Sequence, residues 1–276
     1  MSTSRVVRIF SDLHYRDGRS EVHDLAALEP LLAGADEVVL NGDTLDTQIA
    51  GLRGHTEEVR AFFAAAGPKV TFLSGNHDPD ISELAELELA GGRIWVTHGD
   101  VLFDLIAPWS HLRGEFRRRL EALGAGLGAG ERARVETRLR LNRLACHDLP
   151  ETLDLSSRSL GTRLRWLLRT FGSPVSVGLM VQAWWEAPGR AAALARAQRP
   201  GARVVVLGHT HFPGLWRVPG AAGEAEIVVI NTGTFARPFG GTFVEVTGGR
   251  VRVVRIVRRA GRFEPGRVVA EFRAGS

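Results

Sequence analysis

Hydrophobic and polar residues follow two different periods along the first hundred residues of the chain. Short runs rich in Val, Ile, Leu and Phe predict strands at residues 6–10, 37–40, 69–73 and 93–97. Between these runs, apolar residues recur at helical spacing, which predicts helices at residues 21–33, 56–66 and 81–89. Strands and helices that alternate in this way are typical of βαβ units, in which helices cover both faces of a sheet.

The pattern changes after Asp100. Residues 104–200 are mostly helical in character and rich in Arg, Leu and Ala, and the flexible stretch G-A-G-L-G-A-G (124–130) interrupts them. Strand patterns then return at residues 203–207, 226–230, 242–247, 250–257 and 267–272, with a tight turn expected at T-G-G-R (247–250). We therefore predict a core made of residues 1–103 and 201–276, with a helical insertion at residues 104–200.

The composition is that of a globular protein with a substantial core, since 44% of the 276 residues are hydrophobic. The single cysteine, Cys146, excludes an internal disulfide framework and fits a reducing compartment. The N-terminal residues do not resemble a signal peptide, and the longest apolar run, V-S-V-G-L-M-V-Q-A-W-W, is too short to span a bilayer. We expect a cytoplasmic protein.

The net charge of +4 is unevenly distributed, because the insertion holds 16 Arg, no Lys and nine Asp or Glu. The insertion also holds four of the six Trp, which are Trp109, Trp166, Trp184 and Trp185. Arg together with Trp and Leu can form an amphipathic surface for lipid headgroups or an anion-binding cap over a nucleotide. The third interpretation is a helical lid whose apolar side chains pack on the core while the Arg side chains are solvated.

Polar clusters follow the ends of five predicted strands. They read S-D-L-H, N-G-D, G-N-H-D, T-H-G-D and G-H-T-H, and they supply Asp12, His14, Asp43, Asn76, His77, Asp78, His98, His209 and His211. In open α/β sheets, ligand sites form outside the carboxyl ends of the strands. We therefore expect these side chains to converge, although about 200 residues of sequence separate the first from the last.

Carboxylate, amide and imidazole donors together suit borderline divalent ions such as Mn²⁺, Fe²⁺ or Zn²⁺, and the lack of thiolates argues against a structural zinc cage. One carboxylate can bridge two metals, and two metals about 3.5–4 Å apart can hold both the attacking and the leaving oxygen of a phosphoryl displacement. Glycines at positions 42, 75, 99 and 208 allow sharp turns where the ligands are presented.

Each cluster has an ordinary alternative, because a solvated loop or a turn can carry the same residues. Taken alone, the two histidines of G-H-T-H fit surface positions beside a turn glycine. Five clusters in one order, each at a predicted strand end, favour a metal site over five separate turns.

Several residues outside the clusters are given structural roles. Cys146 is interpreted as a small core residue, Asp100 as a turn or supporting residue, and Asn231 and Thr234 as structural supports. Four histidines are interpreted as ordinary: His23, His55, His111 and His147.

The ordered motifs D-L-H, G-D, G-N-H-D, H-G-D and G-H-T-H resemble those of the calcineurin-like metallophosphoesterase superfamily. The resemblance covers the core on both sides of the insertion but does not extend to residues 104–200. It implies an α/β (α+β) fold of four αββα layers, in which helices flank a sandwich of two sheets.

The resemblance also implies two metal sites. The first would use Asp12, His14, Asp43 and His211, and the second Asp43, Asn76, His98 and His209, so that Asp43 bridges the two metals. Manganese is the metal most expected, with iron, zinc and cobalt as alternatives. A hydroxide that bridges the metals would attack phosphorus in line.

Two further residues receive catalytic roles from the resemblance. His77 would lie beside the phosphate, where it stabilises the transition state or protonates the leaving group. Asp78 would orient His77 through the ring N–H.

The position of the insertion, between His98 and G-H-T-H, is similar to the layout of UDP-2,3-diacylglucosamine diphosphatases, in which the cap cradles acyl chains. Those enzymes commonly carry Arg where this chain has His77, which points to a general phosphoesterase or a diverged relative. We expect hydrolysis of an organic phosphate, such as a UDP-sugar lipid or a nucleotide-like diphosphate, with peripheral contact at the inner membrane face. A nuclease that holds nucleic acid through the basic insertion and a non-enzymatic scaffold are the alternatives.

Overall fold

The computed structural model describes residues 5–147, 149, 161, 173–221 and 223–275. Trp166 and the predicted helical stretch at residues 162–171 lie outside the described residues. The strands are β1 (Val6–Phe10), β2 (Glu37–Asn41), β3 (Lys69–Leu73), β4 (Glu86–Leu89), β5 (Ile94–Thr97), β6 (Val204–Leu207), β7 (Gly214–Val218), β8 (Ile227–Asn231), β9 (Thr242–Thr247), β10 (Arg250–Arg259) and β11 (Arg262–Arg273).

The α-helices of the described ranges lie before β5 or in the insertion. They are α1 (Glu29–Leu32), α2 (Ala50–Arg53), α3 (Thr56–Ala65), α4 (Arg113–Leu123), α5 (Ala129–Ala133), α6 (Val135–Cys146) and α7 (Pro174–Gln198). Short 3₁₀ helices cover Leu25–Leu28 and Asp100–Leu102. Among the described residues, no helix combines the length and apolarity that crossing a membrane requires.

The strands form two sheets. The first has the order β11-β10-β9-β1-β2-β3 and the second the order β4-β5-β6-β8-β7. The central strands run parallel, with β1, β2 and β3 in register in one sheet and β5, β6 and β8 in the other. The outer strands pair antiparallel. The carboxyl ends of the parallel strands therefore lie at one edge of each sheet.

Successive side chains of a strand point to opposite faces of its sheet, which explains how the two sheets pack face to face. In β2, Val39 faces the second sheet, whereas Val38 and Leu40 face the helices on the outer side. In β6, Val206 lies between the sheets and Val205 faces α7. Strands with both faces covered read as continuous apolar runs, as the sequence shows. The result is the four-layer αββα arrangement that the resemblance implies.

The insertion contributes both to the outer layer and to a small core of its own. Helix α7 packs on the second sheet through alanines four residues apart, among them Ala183, Ala187, Ala191 and Ala195. A separate cluster joins α4 and α6 through Phe116 and the fully buried Cys146. The interpretation of Cys146 as a core residue is confirmed, and burial raises the pKa of its thiol well above the ordinary value.

The prediction of a helix at residues 81–89 is wrong, because Glu86–Leu89 forms strand β4 instead. This strand pairs antiparallel with β5, and Glu86 lies opposite Thr97. The residues Glu, Leu and Ala are good helix formers, but E-L-E-L also alternates with a period of two, and pairing with β5 overrides the helical propensity.

The helix predicted at residues 21–33 is shorter than expected. The helical part is a 3₁₀ turn at Leu25–Leu28 followed by α1 at Glu29–Leu32. Asp24 caps the 3₁₀ turn by accepting a hydrogen bond from the Ala26 N–H, so helical structure begins only after it. Strand β7 was not predicted at all, because it is short and begins with Gly214.

Candidate metal centre

The candidate ligands gather at the edge where the parallel strands of both sheets end. Asp12 and His14 follow β1, Asp43 follows β2, Asn76 follows β3, His98 follows β5, and His209 and His211 follow β6. The site is therefore assembled from both sheets, as expected from the carboxyl-end rule.

Five of these residues have a left-handed backbone although none is glycine. Their φ angles are 55° for Asp12, 46° for His14, 52° for Asp43, 65° for His209 and 59° for His211. This conformation costs an L-residue roughly 1–2 kcal/mol, so the surrounding structure must hold it in place. The left-handed turns also direct His209 and His211 to different clusters, whereas alternate residues of a regular strand share one face.

The first cluster consists of Asp12, His14, Asp43 and His211, whose ligand atoms all lie within 4.8 Å of one another. His211 Nε2 lies 3.0 Å from Asp12 Oδ1 and 3.1 Å from His14 Nε2. Burial lowers the pKa of His14 to about 4, so the ring is neutral at pH 7. A neutral imidazole is the form that binds a metal.

The second cluster consists of Asp43, His98 and His209, again within 4.8 Å. His98 Nε2 lies 3.2 Å from Asp43 Oδ2, and its Nδ1 lies 2.9 Å from the Asn41 carbonyl oxygen. Burial raises the pKa of Asp43, but the neighbouring His98 and His77 outweigh it and hold this carboxyl well below its usual range. Asp43 belongs to both clusters, which is the position expected for a bridging carboxylate.

The donor atoms of these residues are of the kinds that bind divalent cations, and they form two adjoining groups. Asn76 Oδ1 and His14 Nδ1 are buried and have no hydrogen-bond partner, and His98 Nε2 has the Asp43 carboxylate 3.2 Å away without a well-directed hydrogen bond. A buried polar atom without a hydrogen bond costs about 1–3 kcal/mol, and a cation would pair with Asn76 Oδ1 and His98 Nε2. The backbone carbonyl of Asn76, in contrast, accepts a hydrogen bond from Gln48.

Two glycines give the carboxylates the space that they occupy. A Cβ at Gly75 would overlap Asp43 Oδ1 and lie 2.5 Å from the Asp43 backbone nitrogen. A Cβ at Gly208 would overlap Asp12 Oδ2 and lie 2.8 Å from the Ser11 Cβ. Both motifs therefore need glycine because another backbone carries a ligand directly past it.

Asp78 does not orient His77, so this expectation is wrong. Its carboxylate accepts hydrogen bonds from the backbone N–H groups of Asp43 (2.9 Å), Thr44 (2.7 Å) and Gly75 (2.9 Å). Asp78 thus fixes the turn that presents Asp43. The carboxylate is held at this turn because the backbone N–H groups of the two short loops need an acceptor when they are buried.

The partner of His77 is Asp46, which the sequence reasoning missed. Asp46 Oδ2 lies 2.8 Å from His77 Nδ1, and the Asp46 side chain is fully buried. The signal was present in the sequence, since Asp46 follows Asp43 by three residues in G-D-T-L-D at the end of the same strand.

The open side of the centre lies between His77 and His211. Their side chains are 23% and 27% exposed, whereas those of Asp12, His14 and Asp43 are at most 1% exposed. The rings of His14 and His77 lie 5.2 Å apart between centroids. A substrate would reach the clusters from this side.

The insertion contributes directly to the second cluster, which no sequence signal indicated. His209 Nε2 lies 3.0 Å from the carbonyl oxygen of Ile106, and the ring of Trp109 lies 5.3 Å from the His209 ring. The ring of Phe103, the last residue before the insertion, lies 5.9 Å from the His209 ring. Because Nε2–H donates to this carbonyl, Nδ1 of His209 is left for a metal. Burial lowers the pKa of His209 to about 3.

The supporting residues occupy the roles expected of them. Asn231 Nδ2 donates to the Gly208 carbonyl (2.6 Å), and Thr234 Oγ1 donates to the Asp12 carbonyl (3.0 Å). Asp100 accepts a hydrogen bond from Asn142 Nδ2 (2.8 Å). The bonds from Asn231 and Thr234 fix the backbone that presents His209 and Asp12.

The four remaining histidines stand outside both clusters. His55 pairs with Glu58 at 2.6 Å, and His147 pairs with Asp80 at 3.0 Å. The interpretation of these residues as ordinary is consistent with such contacts.

The family model that matches the sequence is that of calcineurin-like phosphoesterases, and the match covers residues 6–213. The chain belongs to the calcineurin-like phosphoesterase family. No curated protein matches the sequence significantly.

Solved structures to which the chain is similar include a dimetal phosphatase from Danio rerio, with 14% identity, a TM-score of 0.48 and coverage of 98% of each chain. A predicted phosphoesterase from Streptococcus pneumoniae has 15% identity and a TM-score of 0.39, over 99% of each chain. Vps29 from Entamoeba histolytica, complexed with zinc, has 12% identity and a TM-score of 0.45, over 98% of this chain and 99% of that one.

Proposed function

We propose that the protein hydrolyses an organic phosphate ester or diphosphate with the help of two divalent metal ions. The observation that carries this proposal is the position of Asp43, whose carboxylate belongs to two adjoining clusters of ligand atoms. Family membership supports the same class of reaction.

The residues that would hold the metals form two groups that share Asp43. They are Asp12, His14, Asp43 and His211 for the first ion, and Asp43, Asn76, His98 and His209 for the second. When bound, the ions supply Lewis-acid polarisation of the phosphoryl group and lower the pKa of water. Manganese is the first metal to test, followed by iron, zinc and cobalt, since these accept mixed carboxylate and imidazole donors.

His77 is the residue placed to handle a proton at the open side. Because the Asp46 carboxylate can only accept, Nδ1 of His77 donates this hydrogen bond, and Nε2 is the ring nitrogen through which His77 would act on a substrate. His77 holds a proton at Nε2 and gives it to the leaving oxygen, which is general acid catalysis.

The test is reconstitution of the purified protein with Mn²⁺ and measurement of bis-p-nitrophenyl phosphate hydrolysis. We expect turnover that Asp43→Ala removes and that Glu57→Ala, a change at an exposed surface acid, leaves intact. We also expect two metal ions per chain by elemental analysis. Fewer than one ion per chain after reconstitution, or no turnover with any of the four metals, contradicts the proposal.

For the substrate, we propose a UDP-sugar lipid or a nucleotide-like diphosphate, handled at the inner face of the membrane by a cytoplasmic protein. Support comes from α7, where the apolar side chains of Val175, Val181 and Trp185 are 61%, 53% and 88% exposed. Sedimentation with anionic vesicles tests this contact, and Trp185→Ala should weaken it. Equal sedimentation of both proteins contradicts it.

The nuclease alternative is less favoured by the described part of the insertion. Glu115 pairs with both Arg118 and Arg119, and Glu186 pairs with Arg190 at 2.8 Å, so these cations are partly neutralised. Oligonucleotide binding that weakens steeply with salt would favour a nuclease. A non-enzymatic scaffold has no chemical use for the complete donor set, and an absence of Mn²⁺ binding would favour it.

A further inference from the structure

Three aromatic side chains meet beside His211, and we call Trp184, Phe212 and Phe239 the aromatic shelf. They come from α7, from the segment after G-H-T-H and from the loop between β8 and β9. The rings of Trp184 and Phe212 are stacked, with centroids 5.1 Å apart and planes at 20°. Phe239 meets both of them edge-on, at 5.6 Å and 6.1 Å.

The shelf is fixed relative to the metal centre. Trp184 Nε1 donates to the carbonyl of Thr210 (2.9 Å), the residue between His209 and His211. Thr210 is held in turn, because Asn231 Nδ2 donates to its Oγ1 at 3.0 Å. Phe212 follows His211 directly in the chain. Movement of the shelf away from the clusters would require these hydrogen bonds to break.

The shelf also lies on the open side of the centre. Phe212 is 40% exposed, and the side chain of its neighbour His211 is 27% exposed, against at most 1% for Asp12, His14 and Asp43. Trp184 covers one face of the Phe212 ring and Phe239 meets it edge-on, so among the described residues no aromatic ring stacks on its other face. Exposed apolar surface that borders a polar site is typical of ligand-binding positions.

We propose that the aromatic shelf binds a planar aromatic group of the substrate, which stacks on Phe212 while the phosphate occupies the metal centre. This inference rests on the proposed function and narrows its substrate class to phosphates that carry an aryl or nucleobase ring. A third ring can stack on the Phe212 face that Trp184 does not cover, since offset stacking is favourable between aromatic faces. A flexible alkyl chain gains nothing from this geometry beyond apolar contact.

The experiment compares three non-hydrolysable phosphonates by calorimetric titration of the Mn²⁺-loaded protein. Methylphosphonate reports the metal centre alone, benzylphosphonate adds an aromatic ring, and cyclohexylmethylphosphonate adds a saturated ring of similar size. We expect benzylphosphonate to bind roughly two- to tenfold more tightly than cyclohexylmethylphosphonate. Phe212→Leu should remove this preference and leave the affinity for methylphosphonate unchanged.

Two variants serve as controls. Phe212→Tyr keeps the ring and should keep the preference, and Leu84→Ala removes an apolar side chain that is 52% exposed and outside the shelf. Both should behave as the unmodified protein does.

The possible failures are distinguishable. If methylphosphonate does not bind the metal-loaded protein and no phosphate ester is turned over, the proposed function fails and the shelf proposal fails with it. If methylphosphonate binds but the two ring compounds bind equally, or the saturated ring binds more tightly, only the shelf proposal is overturned. Retention of the preference in Phe212→Leu overturns it as well.

Discussion

Three histidines at the centre have a second partner that determines which ring nitrogen is left for a metal or a substrate. His98 uses Nδ1 toward the Asn41 carbonyl, His209 uses Nε2 toward the Ile106 carbonyl, and His77 uses Nδ1 toward Asp46. A ring anchored in this way offers one defined nitrogen to a metal or to a substrate. The tautomers are therefore built into the fold rather than selected by the ligand.

Metal uptake at pH 7 should release a proton from His98, in addition to any proton that a metal-bound water loses. Burial lowers the pKa of His98, but Asp43 outweighs it and raises this pKa well above the ordinary value, so the metal-free ring is charged. The pKa of His14 is about 4 and that of His209 about 3, so these rings are already neutral. Because a ligand must be neutral, metal affinity should rise with pH through neutrality.

Titration of Mn²⁺ in PIPES and in Tris measures the released protons, since the two buffers differ in ionisation enthalpy. A His55→Ala variant, changed at a histidine outside both clusters, should release the same number. Identical heats in the two buffers contradict the assignment.

Substitutions of Asp46 and Asp78 should have different effects, one on turnover and the other on metal content. Asp46→Asn removes the partner of His77 and should lower kcat about 10- to 100-fold while two Mn²⁺ still bind. Asp78→Asn disturbs the backbone turn that presents Asp43 and should reduce the metal content. Steady-state kinetics and elemental analysis of both variants measure the contrast, and the same loss of metal in both contradicts it.

Residue identity, order and spacing were sufficient to predict which side chains approach one another. They were insufficient to predict the hydrogen-bond partners. Whether Asp46 or Asp78 bonds to the His77 ring depends on the path of two loops. Asp78 is adjacent to His77 in the chain, yet its carboxylate turns to three backbone N–H groups. Ile106 had no signal at all, since a backbone carbonyl leaves no trace in the sequence.

At the scale of elements, the strand ends approach so closely that a single methyl group should disturb them. Gly75→Ala places a carbon against Asp43 Oδ1 and its backbone nitrogen, which we expect to destabilise the protein by about 1–3 kcal/mol and weaken metal binding. Chemical denaturation and Mn²⁺ titration measure the two effects.

The matched control is Gly51→Ala in α2, where an added Cβ meets nothing within 4 Å. Alanine favours a helix over glycine by up to about 1 kcal/mol, so this variant should be neutral or slightly more stable. If both variants behave alike, close approach at Gly75 is not the cause.

Helices and strands were predicted correctly where the spacing of apolar residues and the pairing with neighbouring elements favour the same structure. Strands β1, β2, β3 and β9 lie where the apolar runs place them, and helix α3 covers most of residues 56–66. The failure at β4 has a physical reason, because its Glu and Leu residues favour a helix while β5 offers a strand to pair with. Only tertiary structure decides between the two.

At the scale of the whole molecule, the ligands join two sheets that otherwise meet through apolar packing. Metal binding should therefore stabilise the protein, by about 2.7 kcal/mol when free Mn²⁺ is a hundred times its dissociation constant. This corresponds to a rise in Tm of about 5–10 °C. Calorimetry with and without Mn²⁺ measures it, EDTA should reverse it, and an unchanged Tm contradicts a site between the sheets.

The four layers could be predicted from the resemblance, and the returning strands supported it. The contact between the insertion and the metal centre could not, because residues 104–200 lie outside the motifs. The structure nevertheless brings Ile106 and Trp109 against His209.

The backbone of Ile106 has one more consequence. Its φ is 61°, a left-handed conformation that is strongly disfavoured for a β-branched residue, and its carbonyl is held by His209. A cation that fixes the His209 ring would also fix this unfavourable loop, whereas a free ring leaves the loop able to relax. Amide hydrogen exchange near Ile106 should then slow when Mn²⁺ is added, so that the order of the insertion follows the occupancy of the metal centre.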